Sequence, residues 1–374
     1  MNYVPKSVVE MVAVGLLPHP VLEIEELSSG LINNSWKVVT KDPKHPNYLL
    51  QKINHNVFRD VESLQYNIKM VTDYIRNKII LKGIQDLERH VLTPVPVGVG
   101  DNSKFYYWDS NGDYWRIFLF IEDSHSYDKM ENPEMAEVAG RAFGQFHKYL
   151  KDFPGKRLCE VIPNFHNTPV RIENLRRRVA LNPAGRLKDV NKEVDFLLNR
   201  SHDFLMIADL GEKGILPTRV VHQDTKFNNI LFDKNDEVLC VVDLDTVMPG
   251  YVCYDVGDAI RSGANTGKED DADIKNVELD MNLAKAFIKG FLDKTRMFLK
   301  KSEVETLAFG AKLLTYEQAV RFLDDYLDGD KYYKTDYPEH NLVRARAQIK
   351  LLQSIEKHYL ELDEYAKKCG VIKY

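Results

Sequence analysis

The chain has 374 residues, 44% of them hydrophobic, and a formal net charge of −5. A chain this long buries a large core and normally divides into two lobes, while its mild acidic excess gives no electrostatic footprint for nucleic acid. No run of about eighteen apolar residues occurs, and the start at Met1-Asn2-Tyr3-Val4-Pro5-Lys6 lacks the basic and apolar regions of a signal peptide, so a soluble cytoplasmic protein without a membrane partner is expected.

In chain order, the first 120 or so residues look strand-rich, with predicted strands over 35–40, 48–53 and 115–121 and a helix over 60–78. That pattern suits a small strand-rich lobe, residues 1–122. From Pro133 the periodicity turns helical, with helices expected over 135–150, 171–179 and 193–210. Arg219-Val220-Val221 and Ile230-Leu231-Phe232 read as short strands, 233–236 as a turn, and 238–242 as a buried strand. Helices over 281–298, 303–326 and 342–366 complete a larger helical lobe, residues 123–374. The expected fold class is therefore α+β and bilobal. Cys159, Cys240, Cys253 and Cys369 have neither metal-ligand spacing nor a secretory context and read as reduced thiols.

The chemistry concentrates in His222-Gln223-Asp224-Thr225-Lys226-Phe227-Asn228-Asn229 and, one hairpin later, Val242-Asp243-Leu244-Asp245. Asp224 and Asn229 have the spacing of the H-R-D-x-x-x-x-N loop of protein kinases, and Asp243 occupies the place of the aspartate that holds the metal. Phosphoryl transfer explains why. An acceptor hydroxyl needs a carboxylate to orient it and take its proton, and Mg²⁺ on the nucleotide phosphates needs hard oxygen ligands. Asp224 suits the first task, Asn229 and Asp243 the second. Asp245 has two readings, a further metal contact or an anchor for the loop. Lys226 matches a lysine that faces the transferred phosphate in many protein kinases.

These motifs resemble the aminoglycoside phosphotransferase and choline kinase branch of the protein-kinase-like fold, whose members phosphorylate small molecules. Together with Asp255-Val256-Gly257-Asp258, Arg261-Ser262, Phe165-His166-Asn167-Thr168-Pro169 and Thr315-Tyr316-Glu317-Gln318-Ala319, they are similar to the N-acetylhexosamine 1-kinases. The likeness covers nearly the whole chain. It implies ATP and Mg²⁺ as cofactors and the anomeric hydroxyl of N-acetylglucosamine or N-acetylgalactosamine as acceptor. The alternatives are a kinase of the same fold for an aminoglycoside, choline or homoserine, and a nucleotide-binding pseudokinase. The resemblance also gives His222 a role in holding the loop.

The remaining candidates are distributed along the chain. The turn bearing Gly30, Asn33 and Asn34 could present backbone N–H groups to phosphates, although a single glycine also suits a plain hairpin. Lys52 could pair with the nucleotide phosphates and Glu62 could hold it, with one doubt: a one-residue slip would give the inward position to Gln51. Phe120 and Glu122 lie at the expected hinge, where the backbone reads the adenine edge in kinase-like folds. For the acceptor, the candidates are His166 and Asn167 in a turn that would equally cap a helix, and Tyr316, Arg321 and Asp324 on one predicted helix.

Overall fold

The computed structural model of the chain describes residues 4–27, 32–98, 100 and 103–371. Helix α1 (Lys6–Leu16) leads into strands β1 (Val21–Leu27), β2 (Asn34–Thr40) and β3 (Tyr48–Ile53), followed by helices α2 (Val61–Ile80) and α3 (Leu87–His90). Strands β4 (Pro94–Val95), β5 (Tyr107–Trp108), β6 (Tyr114–Leu119) and β7 (Ser124–His125) come next, then helices α4 (Pro133–Leu150), α5 (Thr168–Leu181), α6 (Asn191–Arg200) and α7 (Met206–Glu212). Four strands follow, β8 (Arg219–Val221), β9 (Ile230–Asp233), β10 (Val238–Val241) and β11 (Met248–Gly250). Helices α8 (Val252–Gly263), α9 (Met281–Thr295), α10 (Lys301–Val304), α11 (Leu307–Asp328) and α12 (His340–Gly370) finish the chain.

These elements form two compact units, one of residues 1–125, 156–163 and 231–248, the other of 126–155, 164–230 and 249–374. The single cut expected after residue 122 thus overlooks two segments that return to the first unit.

The first unit is built on an antiparallel sheet in the order β1-β2-β3-β6-β4, with β5 also paired to β6. Its strands alternate. Trp36, Val38, Leu50, Trp115 and Ile117 bury one face together with Val9, Val12 and Ala13 of α1. Helix α2 starts where Asp60 accepts a hydrogen bond from the Ser63 amide (3.0 Å), and Asn67 within it donates to the carbonyls of Cys159 (2.8 Å) and Val247 (3.1 Å). Both returning segments are tied to the unit by this one side chain.

The second unit is helical around a core that includes Leu197, Phe204, Phe309, Tyr316 and Leu323. Helices α8 and α11 approach closely because their contact is made of glycines: a Cβ on Gly257 would lie 2.3 Å from the Gly310 carbonyl oxygen, and one on Gly310 would lie 2.0 Å from that of Cys253. Two helices expected to be continuous are broken. The stretch 193–210 divides after Arg200, where the Ser201 hydroxyl turns back onto the Leu198 carbonyl (2.7 Å), and 303–326 divides at Thr306, whose hydroxyl donates to the Glu303 carbonyl (2.9 Å). Among the described residues no helix is long and apolar enough to cross a membrane.

Candidate active site

In the second unit, the segment between β8 and β9 holds Asp224, Lys226 and Asn229 as one cluster. Lys226 Nζ lies 2.9 Å from Asp224 Oδ1, and Asn229 Nδ2 donates to both the carbonyl (2.8 Å) and Oδ2 (3.1 Å) of Asp224. Of the two terminal atoms of the Asn229 amide only the N–H₂ can donate to a carboxylate, so its Oδ1 is left as a hard oxygen for another partner. The Asp224 carboxyl sits below its ordinary range: burial works most strongly against its charge, but Lys226, His222 and Asn229 together outweigh it. It is therefore ionised at neutral pH and suited to orienting a hydroxyl. Lys226, raised by Asp224, stays cationic.

Helix α8 holds this loop in place. The buried Asp255 carboxylate accepts the amides of His222 (2.8 Å) and Gln223 (2.8 Å) and lies 2.8 Å from His147 Nε2. Asp258, three residues on, accepts the Thr225 amide (2.9 Å) and is braced by Arg261, whose other end meets Glu269 (2.7 Å). The His222 Nδ1 accepts the Asp224 amide (3.3 Å), so this histidine shapes the loop, as the resemblance implies. Gln223 has φ 67°, a strained value for a non-glycine residue, directly beside Asp224. The motif Asp255-Val256-Gly257-Asp258 was visible in the sequence; the two carboxylates share a helical face through their i, i+3 spacing, a signal for their joint grip that residue types alone do not reveal.

In the first unit, Asp243 follows β10 in the left-handed region, φ 57°. Of the two readings of Asp245, its contacts are those of an anchor rather than of a metal ligand. It is buried, Arg116 donates to both of its oxygens (2.5 and 2.9 Å), and Asn33 Nδ2 donates at 2.7 Å. The Asn33 side chain is thereby committed to structure, since its Oδ1 also accepts the Asn54 amide (2.9 Å). Gly30 lies outside the described residues.

Lys52 also departs from its expected place. It pairs with Asp113 (2.6 Å), whereas Glu62 is exposed in the first turn of α2. Cross-strand register gives the reason: Lys52 stands opposite Trp115, on the sheet face buried by α1, and Gln51 stands opposite Arg116 on the other face, where it accepts from Arg116 Nε (2.9 Å). The one-residue ambiguity thus resolves toward Gln51 and Arg116. Asn34, opposite Lys52, lines with it a cleft of about 180 Å³. At the end of β6, the Phe120 amide is engaged by the Asn47 carbonyl (2.9 Å), and the Glu122 carboxylate accepts from Asn47 (2.7 Å) and Lys37 (3.2 Å). Phe120 therefore has no spare amide for an adenine edge.

The acceptor candidates separate clearly. Tyr316 is core: fully buried, stacked on Phe204 with ring centroids 3.9 Å apart, its hydroxyl donating to the Leu197 carbonyl (3.0 Å). Asn167 caps α5, accepting the Val170 amide (3.3 Å) and donating to Asn164 (2.9 Å). His166 Nδ1 lies 2.7 Å from Glu317, a buried carboxylate that also accepts from Thr168 (2.9 Å). Arg321 and Asp324 line a cleft of about 280 Å³ with Arg171, Arg178 and Lys331. Burial pushes the Asp324 carboxyl up to about 6.

Residues 23–289 match the phosphotransferase enzyme family. The chain belongs to that family. Solved structures share the fold of this phosphotransferase. A spectinomycin phosphotransferase in complex with ADP and spectinomycin is 12% identical, with 96% of this chain and 100% of that one covered and a TM-score of 0.59. A microcompartment-associated aminopropanol kinase is 14% identical over 96% and 98% of the two chains, TM-score 0.60. The choline kinase of Cryptosporidium parvum is 16% identical over 97% and 99%, TM-score 0.54. At these identities the likeness speaks for the bilobal kinase-like fold.

Proposed function

We propose that this phosphotransferase moves the γ-phosphoryl group of ATP onto the anomeric hydroxyl of N-acetylglucosamine or N-acetylgalactosamine, forming the sugar 1-phosphate. The observation that carries the reading is the Asp224–Lys226–Asn229 cluster. Asp224 orients the acceptor hydroxyl and receives its proton as the oxygen–phosphorus bond forms, and Lys226 places positive charge beside the transferred group. Mg²⁺ is the ion the resemblance implies, and Asn229 in the second unit and Asp243 in the first each carry a hard oxygen of the kind this ion takes beside substrate phosphates. Bound to ATP, it would neutralise charge on the triphosphate.

The acceptor is argued from the cleft on α5 and α11. A cationic amine would call for an acidic pocket, whereas Arg171, Arg178, Arg321 and Lys331 stand here beside three aspartates, of which Asp325 is already occupied by the amides of Lys331, Tyr332 and Tyr333 (2.8 to 2.9 Å). That balance favours a sugar over choline or an aminoglycoside. The test is ADP release from ATP over a panel of free sugars, amino alcohols and aminoglycosides. An N-acetylhexosamine should be the best acceptor, and excess chelator should abolish turnover. A best acceptor among the amines would refute the sugar assignment, and full activity in chelator would refute the metal ligands.

A further inference from the structure

The two arginines at one end of this cleft lack the partners that buried guanidinium groups require. Arg171 Nη2 donates to the Phe165 carbonyl (3.1 Å), and its Nε is buried with no hydrogen-bond acceptor. Arg321 Nη1 donates to the neutral Gln318 amide oxygen (3.1 Å), while its guanidinium lies 5.3 Å from the Phe165 ring centre and 5.6 Å from that of Tyr333. Among the described residues, neither forms an ion pair with a carboxylate. Burial and the charge of Arg321 together hold the Arg171 guanidinium below its ordinary range.

The nearby acids are committed elsewhere. Glu317 serves His166 and Thr168, and Asp325 serves the amides of the loop carrying Tyr332 and Tyr333. Asp328 lies 2.9 Å from Arg178 and 3.1 Å from Lys331, and Asp324 lies 3.5 Å from Arg178. Glu317 lends its charge to both guanidiniums but gives its hydrogen bonds to His166 and Thr168, so their N–H forks are left without a carboxylate to bind, and a bidentate anion is the ligand that fills them.

We propose that the Arg171 and Arg321 end of this cleft binds an anionic group, a carboxylate, sulfate or phosphate, carried by the acceptor sugar. The inference rests on the proposed reaction only for the hexosamine frame. With C1 as the nucleophile and C2 bearing the acetamido group, the exocyclic C6 is the remaining position that reaches farthest from the ring, and the proposal is made for an anion there.

The experiment is calorimetry on the full chain, with excess non-hydrolysable ATP analogue and Mg²⁺ occupying the nucleotide site, comparing N-acetylglucosamine with its 6-sulfate and 6-phosphate. The wild type should bind at least one of these anionic sugars roughly tenfold or more tightly than the neutral parent. Arg171→Gln and Arg321→Gln should each erase that preference while nucleotide affinity is kept. Should either variant fail to bind nucleotide, the corresponding lysine variant replaces it, with a reduced preference expected because charge is kept and the fork is lost. Equal binding of neutral and anionic sugars by the wild type, or a preference that survives both substitutions, overturns the proposal. Its failure is distinct from that of the reaction: phosphorylation of the neutral sugar without anion preference removes only the anion site, and arginine-dependent binding without ADP release from any hexosamine removes only the kinase assignment.

Discussion

Asp224→Asn should lower kcat by on the order of 10² to 10⁴ while leaving nucleotide affinity close to that of the wild type. Asparagine preserves the shape of the side chain and one acceptor oxygen, so the loop held by Asp255 and Asp258 keeps its course. What disappears is the anionic oxygen that orients the acceptor and receives its proton. Because Lys226 holds the Asp224 carboxyl below its usual range, this residue is a weak base in the free protein, and its contribution lies mostly in alignment and in accepting the proton late. Steady-state kinetics beside a nucleotide titration checks this. A variant with near-normal kcat would remove Asp224 from the chemistry, and one that no longer binds nucleotide would indicate a collapsed loop.

Asp255→Ala should be the most damaging substitution for folding. It leaves the amides of His222 and Gln223 and the ring of His147 without their acceptor in a site closed to water, at a cost of about 3 to 5 kcal/mol. The second unit should melt well below the wild type, and turnover should vanish although Asp255 touches no reacting atom. Asp255→Asn, which keeps one oxygen, should fall between the two. The pH dependence follows from the direction of the shift. Burial opposes the Asp255 charge, but His147 and the loop amides lower its folded value below the ordinary 3.8. Its stabilisation is thus present above 3.8 and is lost as pH falls through the folded value, so the asparagine variant should lose less stability than the wild type on acidification below 3.8. Thermal melts across acidic pH test this; equal acid sensitivity of the two would assign the stability to other carboxylates.

The catalytic strands were legible because apolar runs flank a polar loop at short range, and β8, β9 and β10 lie where those runs predicted. Long-range commitments were not. Nothing local distinguishes Tyr316, whose hydroxyl reaches the Leu197 carbonyl, from a tyrosine lining a sugar site. Asn33 and Asp245 stand 212 residues apart, and only their meeting shows that each satisfies the other. Lys52 failed for a different reason: period-two alternation tells which residues share a face but not which face is buried by α1, and that is settled by cross-strand register. Conversely, Asn167 was readable either way, since the Asn-Thr-Pro signal for a helix start and a polar acceptor turn use the same residues.

The most direct test of the central claim compares ADP release with N-acetylglucosamine and with its 1-O-methyl glycoside, followed by location of the phosphate on the product by ³¹P NMR. The free sugar should be turned over to a 1-phosphate and the methyl glycoside should be inert, because methylation removes the nucleophilic hydroxyl and spares the rest of the recognition surface. Phosphorylation of the methyl glycoside at a comparable rate would contradict the account by placing the chemistry at another hydroxyl.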